Sequence, residues 1–408
     1  MSVRVAVTGV GAISSLGNDW SEVKPALLSC QNRVRYMTEW DQYTELQTRL
    51  ASPIDHFEMP SNYTQKKMRG MGRVAKLGVV ATEKALKDAG LFRHEVISDG
   101  RTGVAFGSAT GSSSAAMEFF NLLEHQSMSR INGTTYLRMM SHSAAVNISV
   151  LFGTTGRMYT TSSACTAGSQ GIGYAYEAIR SGQQTVMLAG GAEELCPTQA
   201  AVFDTVYATS QKNATPNTSP CPYDKQRDGL VLGEGACTLI LEEWSHAEKR
   251  GAKILAEVVG YGTNTDGSHL VRPNQSTMSE VMRLSLRDAG INAGAIDYIS
   301  GHGTSTVHGD IAETLATESV LGRDTPISTI KSYIGHSLGA CGSLEAWLAI
   351  AMMNEDWFSP NVNLKQIDDR CAALDYIVQE PRELKAKYVM SNNFAFGGIN
   401  TSLIFKRV

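Results

Sequence analysis

The stretch Thr160-Thr161-Ser162-Ser163-Ala164-Cys165-Thr166-Ala167-Gly168-Ser169-Gln170-Gly171 leads small polar residues into a cysteine and continues as a helix of small residues. A cysteine at a helix N-terminus meets unpaired backbone N–H groups and the positive end of the helix dipole, which lower its pKa and expose a thiolate. Gly168 and Gly171 let such a helix lie deep against other backbone. A nucleophile is one reading of Cys165, and a thiol packed in the core is the other. Two more loops carry imidazoles. Gly301-His302-Gly303-Thr304-Ser305-Thr306-Val307-His308-Gly309-Asp310 directly follows a strand-like run, which puts His302 on a strand-end loop where catalytic groups are common. In Ser328-Thr329-Ile330-Lys331-Ser332-Tyr333-Ile334-Gly335-His336, Lys331 and His336 flank a short turn before an Ala/Gly-rich helix. A fourth stretch, Asn392-Asn393-Phe394-Ala395-Phe396-Gly397-Gly398-Ile399-Asn400, reads as a mobile loop whose N–H groups face a ligand, or as a hairpin turn before a strand at 401–405. A metal on His302, His308, Asp310 and His336 is the rival to acid–base chemistry. Their spacing matches no known zinc motif, so no metal is expected.

These residues need a scaffold, and the chain has the material for one. Of its 408 residues 42% are hydrophobic and 19% charged, enough apolar surface for a large core and too little charge for disorder. The net charge of −4 argues against nucleic acid as the main partner, because phosphate neutralisation needs a Lys/Arg excess. No apolar run approaches the roughly 18–20 residues of a membrane span, and the N-terminus alternates too early for a secretory segment. The seven cysteines are scattered without a Cys-x-x-Cys pair, which fits a reducing cytoplasm better than a disulfide framework.

Strand-like segments at 3–8, 102–106, 185–189, 237–241, 254–260, 298–300 and 388–390 alternate with helical patterns at 74–88, 168–180, 278–288, 311–321 and 342–354. That alternation predicts a layered α/β architecture. Gly90, Gly182 and Gly290 stand where left-handed helix caps are needed. The two halves look alike in plan, 1–243 with the cysteine and 244–408 with the two histidines, separated by a charged stretch at 242–250 that reads as a solvated helix. Gly9-Val10-Gly11-Ala12-Ile13-Ser14 superficially suggests a dinucleotide fingerprint, but the last glycine is Ser14 and no acidic residue follows at the right distance. A tight strand-to-helix turn is the expectation there.

Taken together, these stretches resemble the β-ketoacyl-acyl carrier protein synthases, the condensing enzymes of fatty acid and type II polyketide synthesis. The likeness also covers Val7-Thr8-Gly9-Val10-Gly11-Ala12, Pro222-Tyr223-Asp224-Lys225-Gln226-Arg227-Asp228-Gly229 and Gly233-Glu234-Gly235-Ala236. It implies a thiolase-like fold of two similar halves in five α-β-α-β-α layers, and a homodimer, with a heterodimer with a chain-length factor as the other arrangement. A Cys-His-His set of Cys165, His302 and His336 is that of the elongating branch. Thiolases would carry a second catalytic cysteine in the 394–400 loop, which has none, and silent chain-length factors replace the nucleophile.

By the same resemblance Cys165 accepts the acyl group, and the N–H groups of Cys165 and Phe396 hold its oxyanion. His302 and His336 hold the enolate left by decarboxylation of a malonyl thioester. Lys331 organises His302, Glu313 supports the lysine network, and Phe396 gates the site. Thr304 and Thr306 bond pantetheine, with His269 and Phe394 lining the same tunnel. No cofactor is implied beyond phosphopantetheine arriving on an acidic carrier protein, for which Lys66, Lys67, Arg69, Arg73, Arg130 and Lys212 are docking candidates. Four positions depart from the usual pattern: Gly301 for alanine, Ala395 for glycine, and Cys237 and Cys341 where alanine or glycine is common. Alternatives from other classes are a non-catalytic partner of a heterodimer and a decarboxylase or thioester hydrolase on the same fold.

Overall fold

The apolar runs become the strands of a ten-stranded sheet in the computed structural model, which describes residues 3–408. In chain order these are β1 (Val5–Ser14), β2 (Thr102–Gly107), β3 (Met158–Thr161), β4 (Val186–Glu193), β5 (Gly235–Glu243), β6 (Ala256–Thr265), β7 (Tyr298–Ser300), β8 (Ile327–Ser328), β9 (Tyr388–Phe394) and β10 (Ile399–Lys406). Their spatial order is β8-β7-β9-β10-β6-β1-β5-β4-β2-β3. One pairing scheme occurs twice. β1–β5 and β5–β4 are antiparallel, β4–β2 and β2–β3 parallel. The same series runs through β6, β10, β9, β7 and β8. The two units meet edge to edge where residues 5–7 pair with 256–258.

The helices used below are α1 (Gln65–Met68), α2 (Arg73–Asp88), α3 (Ser113–His125), α4 (Ala167–Arg180), α5 (Pro197–Thr205), α6 (Gln275–Ala289), α7 (Val307–Leu321) and α8 (Cys341–Asn354). α2 covers β1 and β5, α6 covers β6 and β10, and α4 and α8 lie together between the two five-stranded units. This is the α-β-α-β-α layering. It explains why α8 is apolar on nearly every side: strands from both units pack on it, so it has no solvent face to make polar.

The expected turn at Gly9–Ser14 is instead the body of β1, which runs on to Ser14. A Cβ on Gly9 would stand 2.7 Å from the Ala85 carbonyl oxygen, and one on Gly11 2.1 Å from that of Ala81. Gly260 and Gly262 on β6 meet the Ser285 and Val281 carbonyls in the same way, each at 2.4 Å. The glycine pairs let an outer helix lie directly on a strand, so they serve packing rather than a nucleotide. The caps at Gly90, Gly182 and Gly290 have the left-handed φ that the helix endings predicted. The charged stretch forms a short helix, Trp244–Lys249, whose flanking Arg250 pairs with buried Glu242. Among the described residues no helix is long and apolar enough to cross a membrane.

Arg227 ties the two halves together. Its fully buried guanidinium donates to Asp368 at 2.7 Å and to the carbonyls of Asp224 (2.8 Å), Val307 (3.1 Å) and Thr306 (3.3 Å), with Asp310 at 3.3 Å. Replacing Arg227 with Met leaves the buried Asp310 carboxylate without a cation, while Asp368 keeps Arg370, a defect worth about 3–5 kcal/mol. Urea unfolding of Arg227→Met should show a midpoint shift of that size with an unchanged slope; a shift under about 1 kcal/mol would remove the arginine from this role.

Candidate active site

Cys165 lies on a single tight turn, Ala164–Thr166, that runs straight into α4. Ala164 has φ +49°, a left-handed conformation a residue with a Cβ adopts at a cost, and it aims the next side chain away from the helix. The N–H groups of Phe396 and of Cys165 itself lie against the sulfur. The thiol is nonetheless pushed up to about 11: burial dominates, and the opposing Lys331 charge and the two N–H groups do not offset it. The expected low-pKa thiolate is therefore a neutral thiol at rest, because 4% exposure costs the anion more than a helix end returns.

Both histidines reach this sulfur from the other half of the chain. Cys165 Sγ and a ring nitrogen from each of His302 and His336 lie within 4.8 Å of one another, with the imidazoles edge-to-face at 5.2 Å. Burial, reinforced by the Lys331 charge, holds both rings well below the ordinary histidine pKa. The Lys331 ammonium (3.1 Å) and the Asn393 amide (3.4 Å) both face His302 Nδ1. Two donors on Nδ1 leave the ring proton on Nε2, pointing away from them. His336 is placed by its backbone alone, its N–H on the Val231 carbonyl (2.7 Å) and its carbonyl accepting from Gly233 (2.9 Å). Neither of its buried ring nitrogens has a protein partner.

Lys331 is 1% exposed. Burial opposes its charge, yet the pKa lies above that of an ordinary lysine, held there by the neighbouring Cys341 and by Glu345, which pairs with it. Glu313 does not make this contact. Its carboxylate accepts the backbone N–H groups of His302 (2.5 Å) and Gly303 (2.7 Å), so it shapes the histidine loop and supports the lysine charge only from a distance. Glu345 and Asn393, which donates to Glu345 at 2.7 Å, escaped the sequence reading. A signal existed: Glu345 is the one charged residue in the helix Cys341–Asn354, and lone charges in buried helices need a partner.

A cavity of ≈ 530 Å³ leads from Cys165, His302 and His336 past Phe394, Thr304 and Thr306 to an exposed rim at Tyr207 and Leu270. Thr304 and Thr306 hydroxyls bond each other at 2.9 Å on its wall, and the Phe394 ring stands edge-on to His302 at 5.9 Å. Phe396 packs against Phe203 at 5.0 Å, beside the sulfur, in the hairpin turn between β9 and β10. The 392–400 stretch is thus a hairpin, and its turn faces the cavity. His269 lies outside the cavity, exposed, with Nδ1 accepting the N–H groups of Val271 and Arg272 at 3.1 Å each. It braces the rim loop from outside.

Of the rival metal set, His308 is exposed and Asp310 is committed to Arg227, so the four do not converge. Lys66, Lys67 and Arg69 are exposed on and beside α1, and Arg130 is exposed. Arg73 is not available for docking, since it pairs with buried Glu234 (2.9 Å to Oε2). Lys212 turns inward to Cys221 Sγ at 3.2 Å.

The glycine at 301 has a steric reason in its neighbour. A Cβ at Gly301 would meet the Tyr223 hydroxyl at 2.4 Å. That hydroxyl reaches Glu313 at 3.4 Å. Cys341 donates its thiol to the Cys165 carbonyl at 3.2 Å and bears on the nucleophile's backbone.

The comparisons with known proteins agree with this geometry. The models for the N-terminal and C-terminal domains of beta-ketoacyl synthase match residues 2–247 and 255–365. The chain belongs to the β-ketoacyl synthase family. It is 35% identical to 3-oxoacyl-[acyl-carrier-protein] synthase 1 of Haemophilus influenzae over 99% of both chains. A crystal structure of a beta-ketoacyl synthase from Burkholderia phymatum is 53% identical and superposes with a TM-score of 0.98 over 100% of both chains. A type II polyketide synthase acyl-carrier protein in complex with its hexaketide-bound ketosynthase matches at 28% identity and TM-score 0.88, again over 100% of both. The protein is an acyltransferase-class condensing enzyme.

The raised thiol pKa has a direct readout. Alkylation of Cys165 by iodoacetamide, followed by intact mass, should climb steeply from about pH 8 to about pH 10 without reaching a plateau. Lys331→Met removes the cation that favours the thiolate, so the rate at fixed pH should fall about tenfold for each unit of further rise. A plateau below pH 8 would contradict the burial argument.

Proposed function

We propose that this ketosynthase extends an acyl chain on a carrier protein by two carbons, with Cys165 as acyl acceptor and His302 and His336 serving the decarboxylating step. The observation that carries the reading is the convergence of these three side chains, each under 10% exposed, at the buried end of a cavity open to solvent. A non-catalytic partner needs none of the three.

The chemistry follows from the positions. The sulfur attacks the thioester carbonyl of an acyl group on phosphopantetheine, forming the Cys165 thioester and releasing the pantetheine thiol, which takes up the cysteine's proton. The N–H groups of Cys165 and Phe396 face the oxyanion, a kind of contact worth about 3–4 kcal/mol. A malonyl thioester then enters; its bond to the carboxylate carbon breaks, carbon dioxide leaves, and the electron pair remains as an enolate. The Nε2–H of neutral His302 and a ring N–H of neutral His336 donate to the enolate oxygen. The enolate carbon attacks the acyl carbonyl, the C–S bond breaks with its electron pair leaving on Cys165, the thiolate takes up a proton from water to restore the thiol, and the β-ketoacyl product departs on the second carrier. A neutral imidazole suits this step because it donates a hydrogen bond to the enolate without being acidic enough to protonate its carbon and quench the nucleophile. The pantetheine arm is substrate here, and Thr304 and Thr306 bond its amides.

Lys66, Lys67 and Arg69, with Arg130, form no ion pair among the described residues and supply the cations an acidic carrier needs. A second copy of the chain covers α3, which exposes Met117, Phe120 and Leu123, and the open edge of β3 at the end of the sheet; exposed apolar patches and unpaired edges of that kind mark interfaces. The seven unpaired cysteines support a reducing cytoplasm as the setting.

Incubation with acyl- and malonyl-carrier protein should give an acyl adduct on Cys165 and a product two carbons longer. His302→Ala and His336→Ala should keep the adduct while condensation falls about 10²–10³-fold. No adduct on a folded protein would refute the assignment, and carbon dioxide or free acid without a longer product would point to the decarboxylase or hydrolase reading. Charge reversal at Lys66, Lys67 and Arg69 should raise KM about tenfold for carrier-bound substrates at low salt and leave small thioester analogues unaffected; equal losses on both would remove the docking role.

A further inference from the structure

The rim of the catalytic cavity carries, beside exposed His308 and Tyr207, three charged residues whose commitments differ. Asp266 is spent inside the fold: its Oδ1 accepts the Asn400 amide at 2.8 Å and the Thr277 hydroxyl, and its N–H donates to the Gly398 carbonyl at 2.7 Å. Asp228 accepts the Gln211 N–H at 2.9 Å and has the Lys212 ammonium at 3.9 Å. Arg272 lines the same cavity, is exposed, and its guanidinium has neither an ion pair nor a hydrogen bond among the described residues. A planar cation with five donors left unspent at an entrance is matched by an anion with several acceptor oxygens.

The loop that bears it is braced. His269 Nδ1 holds the N–H groups of Val271 and Arg272, Pro273 follows at once, and the Leu270 carbonyl accepts the N–H of Gly397 at 2.8 Å. The backbone under Arg272 is therefore set before any ligand arrives, which lowers the entropy cost of using it. The neighbouring rim groups Val206, Tyr207, Leu270 and Val271 are exposed and apolar, so no second cation is supplied from these positions.

We propose that Arg272 is a specificity residue that binds the phosphate group of the arm whose thioester reaches Cys165. This rests on the ketosynthase reading, under which the sulfur end of the arm lies at Cys165, its amides pass Thr304 and Thr306, and its phosphate end remains at the rim. Arg272 thereby separates phosphorylated from unphosphorylated pantetheine thioesters, whatever protein the phosphate is attached to.

The test compares acylation of Cys165 by octanoyl-4′-phosphopantetheine and by octanoyl-pantetheine, followed by intact mass at low ionic strength. The native protein should prefer the phosphorylated arm about tenfold in kcat/KM, the scale of one charge-assisted contact at a solvent-exposed site. In Arg272→Ala that ratio should fall to about one, and Arg272→Lys should restore part of it as a point charge. Raising the salt should compress the native ratio and leave that of Arg272→Ala where it is. An Arg272→Ala ratio equal to the native one would overturn the assignment, as would a native ratio of one. Acylation by neither thioester in a folded protein would overturn the ketosynthase reading itself, and this assignment with it.

Discussion

One buried ammonium governs the state of every reacting group. Lys331 has 1% of its surface in contact with solvent and stays charged because Glu345 pairs with it in the middle layer of the fold. Its charge depresses both imidazoles, already disfavoured as cations by burial, and draws the Cys165 thiol part of the way down from where burial alone would put it. An unpaired cation in this position would cost several kcal/mol or lose its proton. The ion pair is thus what allows a positive charge to stand among three groups that work as neutral donors and a neutral thiol.

The repeated topology explains how such a set is assembled. Each half builds five strands of the same pairing order and contributes one helix to the central layer, α4 from the first and α8 from the second. The start of α4 presents Cys165, while the start of α8 follows the turn that presents His336 and carries Glu345 one turn further on. Two helix N-termini brought together in a dry layer leave their first N–H groups without water, and chemistry at that point can use them. Backbone approach is close enough that a Cβ on Gly168 would stand 3.0 Å from the Gly339 carbonyl, so glycine there is a packing requirement.

Burial has a second consequence. A thiol held near 11 and shielded in an apolar setting is a poor target for electrophiles in bulk water, yet it sits under two N–H groups that favour the oxyanion formed on acyl transfer. Selectivity then comes from what can thread the cavity. The pairing of Tyr223 with Gly301 belongs to the same economy of space, the hydroxyl filling the volume a methyl would take and adding a contact to the carboxylate that shapes the His302 loop.

Local sequence determined a good deal. Glycine caps, the alternation of strands and helices, the cysteine before a small-residue helix and the histidines in strand-end loops are consequences of backbone sterics and neighbouring residues, and they stand in the structure where the sequence placed them. Tertiary structure alone decided the rest. The direct ion-pair partner of Lys331 is Glu345, with Glu313 acting on it only at a distance, Arg73 and Lys212 are spent on Glu234 and Cys221, and His269 braces a loop outside the cavity. Gly9 and Gly11 serve a helix lying on a strand, with no turn between. In each case the deciding quantity is a distance or a degree of burial between segments far apart in the chain. The same holds for the nucleophile: a helix N-terminus lowers a thiol's pKa by a local field, but the dielectric around it belongs to the whole fold, and here the fold prevails.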